Sequence, residues 1–399
     1  MGATRSTGLS FLFLTVLVDL VGFGIVLPLL PFYADRFGAT GTEVGLLVLV
    51  YSLIQLFMAP FWGRLSDRIG RKPVLVLGLA GSAVSYVVFA FAPSLTWLYV
   101  SRILAGIGGS TIPVAEAYIA DVTPPEGRAG GLGVIGAAFG LGFTIGPALG
   151  GALSGVDPVA PGLLAAVLCA LNAGLALVLL RESLPPERRG APARRHGIPR
   201  LLRLGRDPQV LTVLGVYFLF SVAWSVLQPT LSLFGAERFG FDARRAGYLF
   251  AFLGLISAGV QGGLVRRLVP RFGEARLVRL AGLPFVAGLV AIGGAGSVGV
   301  LLGGLGLLAL GYGIAVPSAL GLLSRRAGAG IQGGTLGLGQ SAGSLARMAG
   351  PLGAGIAFDR LGVGSPYFLG AVVAAGAAAL ALSLAQPRAE RSAGEPVRA

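Results

Sequence analysis

Stretches of about 20 apolar residues recur along this chain, and each is long enough to cross the hydrocarbon core of a membrane as a helix. Of the 399 residues, 54% are hydrophobic and only 12% are charged. Soluble domains average about 25% charged residues, so a membrane is the solvent that fits this composition. Twelve spans are predicted, at 9–33, 44–62, 73–93, 96–120, 129–153, 160–181, 209–234, 246–265, 277–295, 298–323, 333–358 and 365–386.

The basic residues indicate how these spans are oriented. With twelve spans both termini lie on the same side, which we call the basic side because it carries 24 of the 31 lysines and arginines. The other side, which we call the opposite side, carries five. The positive-inside rule makes the basic side cytoplasmic. We therefore expect a multi-pass protein of the cell inner membrane with both termini in the cytoplasm.

The two halves of the chain resemble each other. The sequence ADRFG at 34–38 recurs as AERFG at 236–240, and GPALGG at 146–151 recurs as GPLGAG at 350–355. Matches in the same order at a nearly constant offset indicate a duplicated six-helix unit, a known device of transporters. The predicted domains are bundles at 1–181 and 209–386, a cytoplasmic linker at 182–208 with a surface helix at 198–206, and a cytoplasmic tail at 387–399.

One basic loop departs from the apolar pattern. GRLSDRIGRKPVL, at 63–75, places five charged residues between spans 2 and 3. We expect Gly63 to permit close approach of a neighbouring backbone, Asp67 to accept from helix N-terminal N–H groups, and Gly70 to supply the turn. The basic residues can then bridge to acids on neighbouring helix ends; they are Arg64, Arg68, Arg71 and Lys72. An anchor for membrane orientation is the alternative, but it needs no Gly or Asp at fixed spacing.

This loop resembles the loop 2-3 signature of the major facilitator superfamily along its full length, and the resemblance covers essentially the whole chain. It implies an all-α membrane protein with twelve transmembrane helices in two pseudo-symmetric six-helix bundles. It also implies that the loop is a latch between the halves in the outward-facing state, with Asp67 facing a helix of the other half and Asp121 as a partner of Arg71. The second-half copy at 266–278 has Arg266 in place of Gly63 and Pro270 in place of Asp67, so a latch there should be weaker.

Span 5 contains a regular glycine pattern. Gly142, Gly146 and Gly150 form one smooth face suited to close helix packing, and Pro147 can bend the helix. Together with Gly151, this GFTIGPALGG segment at 142–151 resembles the span 5 pattern of the drug:proton antiporters, including the tetracycline exporters. SRILAGIGGS at 101–110 resembles their span 4 motif, with Arg102 as the matching arginine. The resemblance favours antiport over symport.

Four ionisable residues fall inside predicted spans, where such side chains are costly and are functional candidates. Asp19 stands about ten residues into span 1 and hence about 15 Å deep, where a carboxyl group can load and release a proton. Arg102 and Arg347 need a counter-ion or a polar cavity. Arg102, Glu116 and the small residues between them share one face of span 4. Glu116 is either a proton-coupling residue or a structural partner of a loop arginine.

Polar side chains on single helix faces are the candidate substrate contacts. A polar side chain that faces lipid is unfavourable, so we expect the helix faces that carry these side chains to point into the protein. Packing or an interfacial aromatic belt is the alternative interpretation of the aromatic members. The candidates are Tyr51 and Gln55 in span 2, Tyr217, Trp224 and Gln228 in span 7, and Gln340 in span 11.

The predicted function is a proton-coupled transporter that exports amphiphilic drugs or similar small molecules, acting as a monomer in the bilayer. The alternative is a metabolite or sugar transporter of the same fold, working as a symporter or facilitator. A pore or a signalling receptor is a more distant alternative. One cysteine and one linker histidine, His196, do not form a metal site, so no metal and no cofactor are expected. No enzyme motif, no phosphate-binding lysine and no nucleic-acid-binding domain is recognisable, so neither an enzyme nor an ATP-driven pump is expected.

Overall fold

The computed structural model describes residues 2–123, 128–190, 207–327 and 332–384, with side chains described throughout these ranges except at 2–9, 128–134, 188, 327, 332–334 and 336. All regular secondary structure in these ranges is helical. The predicted surface helix at 198–206, His196 and the tail at 387–399 lie outside the described residues.

The first half contains six helices that follow the first six predicted spans. Two of them are interrupted, α1 around Pro28 and α4 around Gly109, where proline or glycine removes or weakens a helical hydrogen bond. The helices are α1 (Gly2–Val26 and Leu30–Asp35), α2 (Gly41–Ile69), α3 (Arg71–Ala90), α4 (Leu95–Gly108 and Ile112–Val122), α5 (Arg128–Ser154) and α6 (Ala160–Leu179).

The second half repeats this order. Its first helix breaks at Val226, three residues before Pro229, and its second contains a π-helical turn at Val260–Leu264. The division between the spans predicted at 277–295 and 298–323 is confirmed, because one helix ends at Gly293 and the next begins at Val298. The helices are α7 (Pro208–Ser225 and Leu227–Phe239), α8 (Ala243–Gly259 and Val265–Phe272, joined by the π-helical turn), α9 (Glu274–Gly293), α10 (Val298–Ala327), α11 (Gln332–Leu361) and α12 (Ser365–Ala381).

These helices have the dimensions of membrane spans. Among the described residues, nine helices are long and apolar enough to cross a bilayer, and Ser10–Val26 and Ser365–Ala381 are shorter apolar helices. α11 is the remaining long helix, at 30 residues. The all-α architecture of twelve helices therefore agrees with the twelve predicted spans.

The backbone confirms that the halves are related. Gly38 and Gly240, at the ends of the repeated ADRFG and AERFG segments, both have positive φ angles, of 69° and 63°. Gly70 and Gly273, which join α2 to α3 and α8 to α9, have φ angles of 109° and 73°. Residues with a Cβ rarely adopt this conformation, so both halves use glycine for the same two turns.

The halves are in close contact at the ends of the helices nearer the opposite side. The Asp359 carboxylate at the end of α11 accepts hydrogen bonds from the backbone N–H groups of Gly41 and Thr42 at the start of α2, both at 2.8 Å. The Ser232 hydroxyl of α7 donates to the carbonyl of Pro28 in α1 at 2.7 Å. Two seams, α2 with α11 and α5 with α8, join the halves here.

Nearer the basic side the same helices diverge. A Cβ on Gly140 of α5 would lie 3.3 Å from Ala258 of α8. One helical turn further towards the basic side, a Cβ on Gly136 or on Gly262 would have no described atom outside its own helix within 4 Å. The same holds for Gly337 of α11. The space between the halves therefore opens towards the basic side and is closed towards the opposite side.

Candidate functional site

Asp19 is buried in the interior of the first half. Its side chain lies between α1, α3 and α6, where the Cys169 thiol is 4.0 Å from its carboxylate and Ser82 is a hydrogen-bonding neighbour. Only 9% of the residue is exposed. Tyr86 borders the same space, because its ring lies against the backbone of Gly22, one turn from Asp19. No Lys or Arg of the described residues lies within 4.0 Å of its carboxylate, so the negative charge has no direct counter-ion.

A small cavity borders this carboxylate. It measures about 10 Å³, which is roughly the smallest space that holds a water molecule. Asp19, Thr15 and Thr111 provide its polar lining, and the rest of the wall is apolar. The cavity extends from Asp19 to the break in α4, so the carboxyl group borders a small void within the bundle rather than the opening between the halves.

Arg102 is also buried in the first half. Only 3% of the residue is exposed, and its Nη2 atom has no hydrogen-bonding partner among the described residues. Its guanidinium lies 5.3 Å from the centre of the Phe89 ring, and its Nε atom is 3.4 Å from the Ser101 hydroxyl. A buried cation with an unused donor is costly, and such a group is a candidate for binding an anion or a carboxylate.

Tyr51 connects these charges to the second half. Its hydroxyl is within electrostatic range of Asp19, Arg102 and Arg347, which come from three different helices. The Gln55 side-chain amide donates to the Tyr51 hydroxyl and to the Gly109 carbonyl, both at 3.2 Å. The break in α4 makes that carbonyl available. Two predicted substrate contacts thus lie beside the predicted proton-coupling residues.

The second half contributes Arg347 and Tyr217 to the same region. Arg347 donates through Nη2 to the Ser344 hydroxyl at 2.9 Å and is half-buried. The Tyr217 hydroxyl lies against Gly343, where a Cβ would be 2.7 Å away, and Arg347 is 3.4 Å from that same point. α7 and α11 therefore bring a phenol and a guanidinium together on the face directed at α2.

An aromatic stack adjoins this group. The rings of Trp224 and Tyr312 are stacked at 4.1 Å with an interplanar angle of 9°. Tyr312, on α10, was not among the predicted contacts, although a polar aromatic residue inside the glycine-rich segment 302–313 is a signal that could have identified it. Gln228 is half-buried beyond the break in α7.

Glu116 and Gln340 meet across the two halves. The Gln340 side chain of α11 is a hydrogen-bonding neighbour of the half-buried Glu116 carboxylate on α4. The alternative that Glu116 pairs with a loop arginine is not found among the described residues. The predicted common face of span 4 is also interrupted, because α4 breaks at Gly109 and Gly106 packs against Ile54 of α2.

The basic loop between α2 and α3 forms an ionic cluster inside the first half. Arg71 donates to Asp67 at 2.6 Å, to the Ser66 hydroxyl at 2.6 Å and to Asp121 at 3.2 Å. Arg71 is 8% exposed. The Arg71 and Asp121 side chains therefore make the contact that the family resemblance implied, while Asp67 also stays within its own half.

Three expectations for this loop are wrong in this conformation. Glu182, not Asp67, caps α3, since its carboxylate accepts from the backbone N–H groups of Arg71 at 2.8 Å and Lys72 at 3.2 Å. A Cβ on Gly63 would meet no described atom within 4 Å, because the second half is not beside it. The side chains of Arg64, Arg68 and Lys72 make no ion pair within the described residues.

The glycines of α5 pack in two directions. Gly142, Gly146 and Gly150 lie against α1 of the same half, where an added Cβ would come within 2.5–2.7 Å of Leu20, Val21 or Ile25. Gly151 faces α8 of the other half, where a Cβ would be 2.8 Å from the Arg244 carbonyl. The helix continues through Pro147, and the carbonyl of Pro147 contacts Gly247 of α8.

Comparison with known proteins gives a consistent result. The sequence profile of the major facilitator superfamily matches residues 12–351. The class C tetracycline resistance protein of Escherichia coli is 36% identical over 346 residues, covering 85% of this chain and 86% of that protein. Major facilitator superfamily domain-containing protein 10 of Homo sapiens is 35% identical, covering 85% of each chain.

A solved structure shows the same fold. The crystal structure of the human organic anion transporter MFSD10 aligns with a TM-score of 0.73 and 29% identity, over 94% of this chain and 99% of that chain. The alignment extends over nearly the whole of both chains, which confirms the predicted fold class. The predicted resemblance to the tetracycline exporters is confirmed as well. This chain therefore belongs to the major facilitator superfamily and is a multi-pass membrane transporter of small molecules rather than an enzyme.

Proposed function

We propose that the protein is a proton-coupled antiporter that exports amphiphilic drugs or similar small molecules across the cell inner membrane by alternating access. The observation that carries the proposal is the position of Asp19, a buried carboxylate with no Lys or Arg of the described residues within 4.0 Å, in electrostatic range of Tyr51. In this proposal the bundles at 1–181 and 209–386 move about one another, joined by the linker at 182–208.

The shape of the molecule supports an inward-facing state. Asp359 and the two helix seams close the opposite side, while the open space lies towards the basic side. If the basic side is cytoplasmic, as its arginines indicate, this conformation is the one that would accept a substrate from the cytoplasm.

The proton step follows from the surroundings of Asp19. Burial away from water favours the neutral form of a carboxyl group, and a nearby cation favours the charged form. Asp19 and Arg102 both lie within electrostatic range of the Tyr51 hydroxyl, so a conformational change that brings the guanidinium nearer to the carboxylate would favour the charged form. We propose that Asp19 is protonated in one conformation and releases its proton in the other, with Glu116 as a second proton carrier.

Tyr51 is the proposed link between proton and substrate. Its hydroxyl lies within electrostatic range of charged groups from both halves, namely Asp19 and Arg102 of the first half and Arg347 of the second. A substrate bound between Tyr51 and Gln55 of α2 and Tyr217, Trp224, Gln228 and Gln340 of the second half would contact aromatic rings and hydrogen-bonding groups together. An amphiphilic molecule suits such a lining.

Substitution of Asp19→Asn tests the proposal. The protein reconstituted in proteoliposomes should lose proton-driven transport of a tetracycline or a fluorescent dye by more than about tenfold. Substrate counterflow, which needs no net proton movement, should persist, and this shows that the variant folds and binds. Asp35→Asn, an exposed acid at the end of α1, is the matched control. Undiminished proton-driven transport by Asp19→Asn would refute the role of Asp19.

A second candidate keeps the same site with a different substrate class. The MFSD10 relative is described as an organic anion transporter, and the unpartnered Nη2 of buried Arg102 here favours a negatively charged substrate group. A metabolite or sugar symporter or facilitator is the further alternative. Transport assays with a cationic dye, an organic anion and a neutral sugar, with and without a pH gradient, separate these three possibilities.

A further inference from the structure

An apolar cavity of about 240 Å³ lies outside the site described above, at the basic-side end of the second half. α9 packs against α8, α10 and α12, all helices of the second half. Leu280 of α9 is 57% exposed and its neighbour Leu283 is 79% exposed, so this surface faces the lipid. The lining side chains are all apolar and include Leu268 and Phe272 of α8, Leu277, Leu280 and Pro284 of α9, and Ile314 of α10.

Arginines alternate with the residues that line this cavity. Each of four lining residues follows directly after an arginine, in the pairs Arg267–Leu268, Arg271–Phe272, Arg276–Leu277 and Arg279–Leu280. All four arginines are exposed. The Arg276 guanidinium lies 5.7 Å from the centre of the Phe272 ring, so positive charge extends to the wall of the cavity itself.

Nothing in the described part of the molecule neutralises this charge. Glu274 is the only acid between residues 243 and 358. It is 5% exposed and is already paired with Arg325 of α10 at 2.9 Å. The positive charge of the loop is therefore directed outwards, at the level where an apolar cavity opens to lipid.

We propose that this cavity and its arginines bind an anionic phospholipid, with an acyl chain in the cavity and the phosphate on Arg267, Arg271 and Arg276. Apolar lining open to the hydrocarbon selects an acyl chain, and the excess of arginine selects a negatively charged headgroup. The site lies on the outer surface of the second half and is separate from the space between the halves.

Native mass spectrometry of the full-length protein in detergent, titrated with dioleoylphosphatidylglycerol, tests the site. Each arginine near an anionic lipid headgroup contributes about fivefold in affinity, so the triple variant Arg267→Gln, Arg271→Gln and Arg276→Gln should bind roughly a hundredfold more weakly. The triple variant Arg64→Gln, Arg68→Gln and Lys72→Gln removes the same charge from the first-half loop and should bind within about twofold of the unaltered protein. An equal loss in both variants would mean general charge attraction and would overturn the proposal.

The apolar half of the site has its own test. Leu280→Trp fills the cavity and should weaken phosphatidylglycerol binding by at least about tenfold, whereas Leu283→Trp, three residues further along α9 and outside the lining, should not. Thermal unfolding of each variant without lipid checks that the fold is intact. Three results would each contradict an anionic phospholipid site. The first is binding of dioleoylphosphatidylethanolamine as tight as that of dioleoylphosphatidylglycerol, and the second is displacement of bound phosphatidylglycerol by inorganic phosphate alone. The third is a dimer of the protein that forms through this face.

Discussion

The two basic loops, 63–75 between α2 and α3 and 266–278 between α8 and α9, occupy equivalent positions in the two halves and use their arginines differently. In the first loop Arg71 is buried and paired with Asp67 and Asp121. In the second loop Pro270 stands in place of Asp67, and the arginines at 266, 267, 271 and 276 are exposed. The turn glycines Gly70 and Gly273 are retained in both.

This difference shows that the turn and the ionic cluster are separable features. A glycine with positive φ is enough to join the helices, since both loops have one. The acids decide whether the arginines fold inward as a cluster or remain available to the membrane. A latch requires the first arrangement, and contact with lipid headgroups requires the second.

The two loops should differ most in how much the loss of one arginine lowers the free energy of unfolding. Arg71→Gln removes two ion pairs and leaves the Asp121 carboxylate, which is 22% exposed, without its partner. Because Asp67 is half exposed, we expect a loss of about 2 kcal/mol rather than the larger cost of a fully buried pair. Arg276→Gln in the second loop should change the free energy of unfolding by less than about 0.5 kcal/mol in lipid-free detergent. Thermal or denaturant unfolding measures both, and equal losses would contradict the distinction.

The acids at the two ends of the molecule should act on the conformational equilibrium with opposite signs. Asp359 accepts from the backbone of α2 across the halves, so Asp359→Asn should weaken closure of the opposite side by about 1.5 kcal/mol, or about tenfold in population. Asp67→Asn should favour the present conformation if Asp67 fastens the other one. Spin labels on Val156→Cys and Glu237→Cys, with Cys169→Ala, report the distance between the halves. If Asp359→Asn and Asp67→Asn changed the distance between the halves in the same direction, the two acids would not stabilise opposite conformations.

A smaller effect is expected for the single acid of the second loop. Glu274 is buried but its partner Arg325 is 62% exposed at the side chain, so the pair is screened on one side. Glu274→Gln should cost about 1 kcal/mol of unfolding free energy, less than Arg71→Gln. The same unfolding assay decides this. A cost above that of Arg71→Gln would mean that the second loop contains the stronger ionic contact.

The smallest structural effect is expected at Gly63. A Cβ there meets no described atom within 4 Å, and alanine is the better helix former, so Gly63→Ala should raise the stability of this conformation by up to about 0.5 kcal/mol. Transport should nevertheless fall if the halves come together here in the other state. Gly353→Ala in α11, where a Cβ also has open space, is the matched control. Unchanged transport in both variants would remove Gly63 from the proposed latch.

The sequence was sufficient for the parts of this protein that depend on local composition. Apolar length predicted all twelve helices, including the division between 277–295 and 298–323, because crossing a membrane requires about 20 apolar residues wherever they occur. The breaks in α1, α4 and α7 were not predicted, although Pro28, Gly109 and Pro229 lie at or within three residues of them. A span tolerates a broken helix when neighbouring helices satisfy the backbone, and that condition depends on packing.

Contacts between distant residues required the tertiary structure. The sequence identified Asp19, Arg102 and Arg347 as costly charges, because any ionisable group at such depth is costly whatever its surroundings. It did not show that Tyr51 lies among them, that Tyr312 stacks on Trp224, or that Glu182 caps α3. Each of these depends on which helix faces which.

Taken by itself, the amino-acid sequence determined the membrane, the number of spans, the duplicated unit and the side that carries the positive charge, because these follow from where apolar and charged residues partition between water and lipid. Only the tertiary structure decided which side of the molecule is closed and which acids hold it. Asp359 and Gly41 are separated by more than 300 residues, and their hydrogen bond exists because two bundles are packed in one of their possible arrangements.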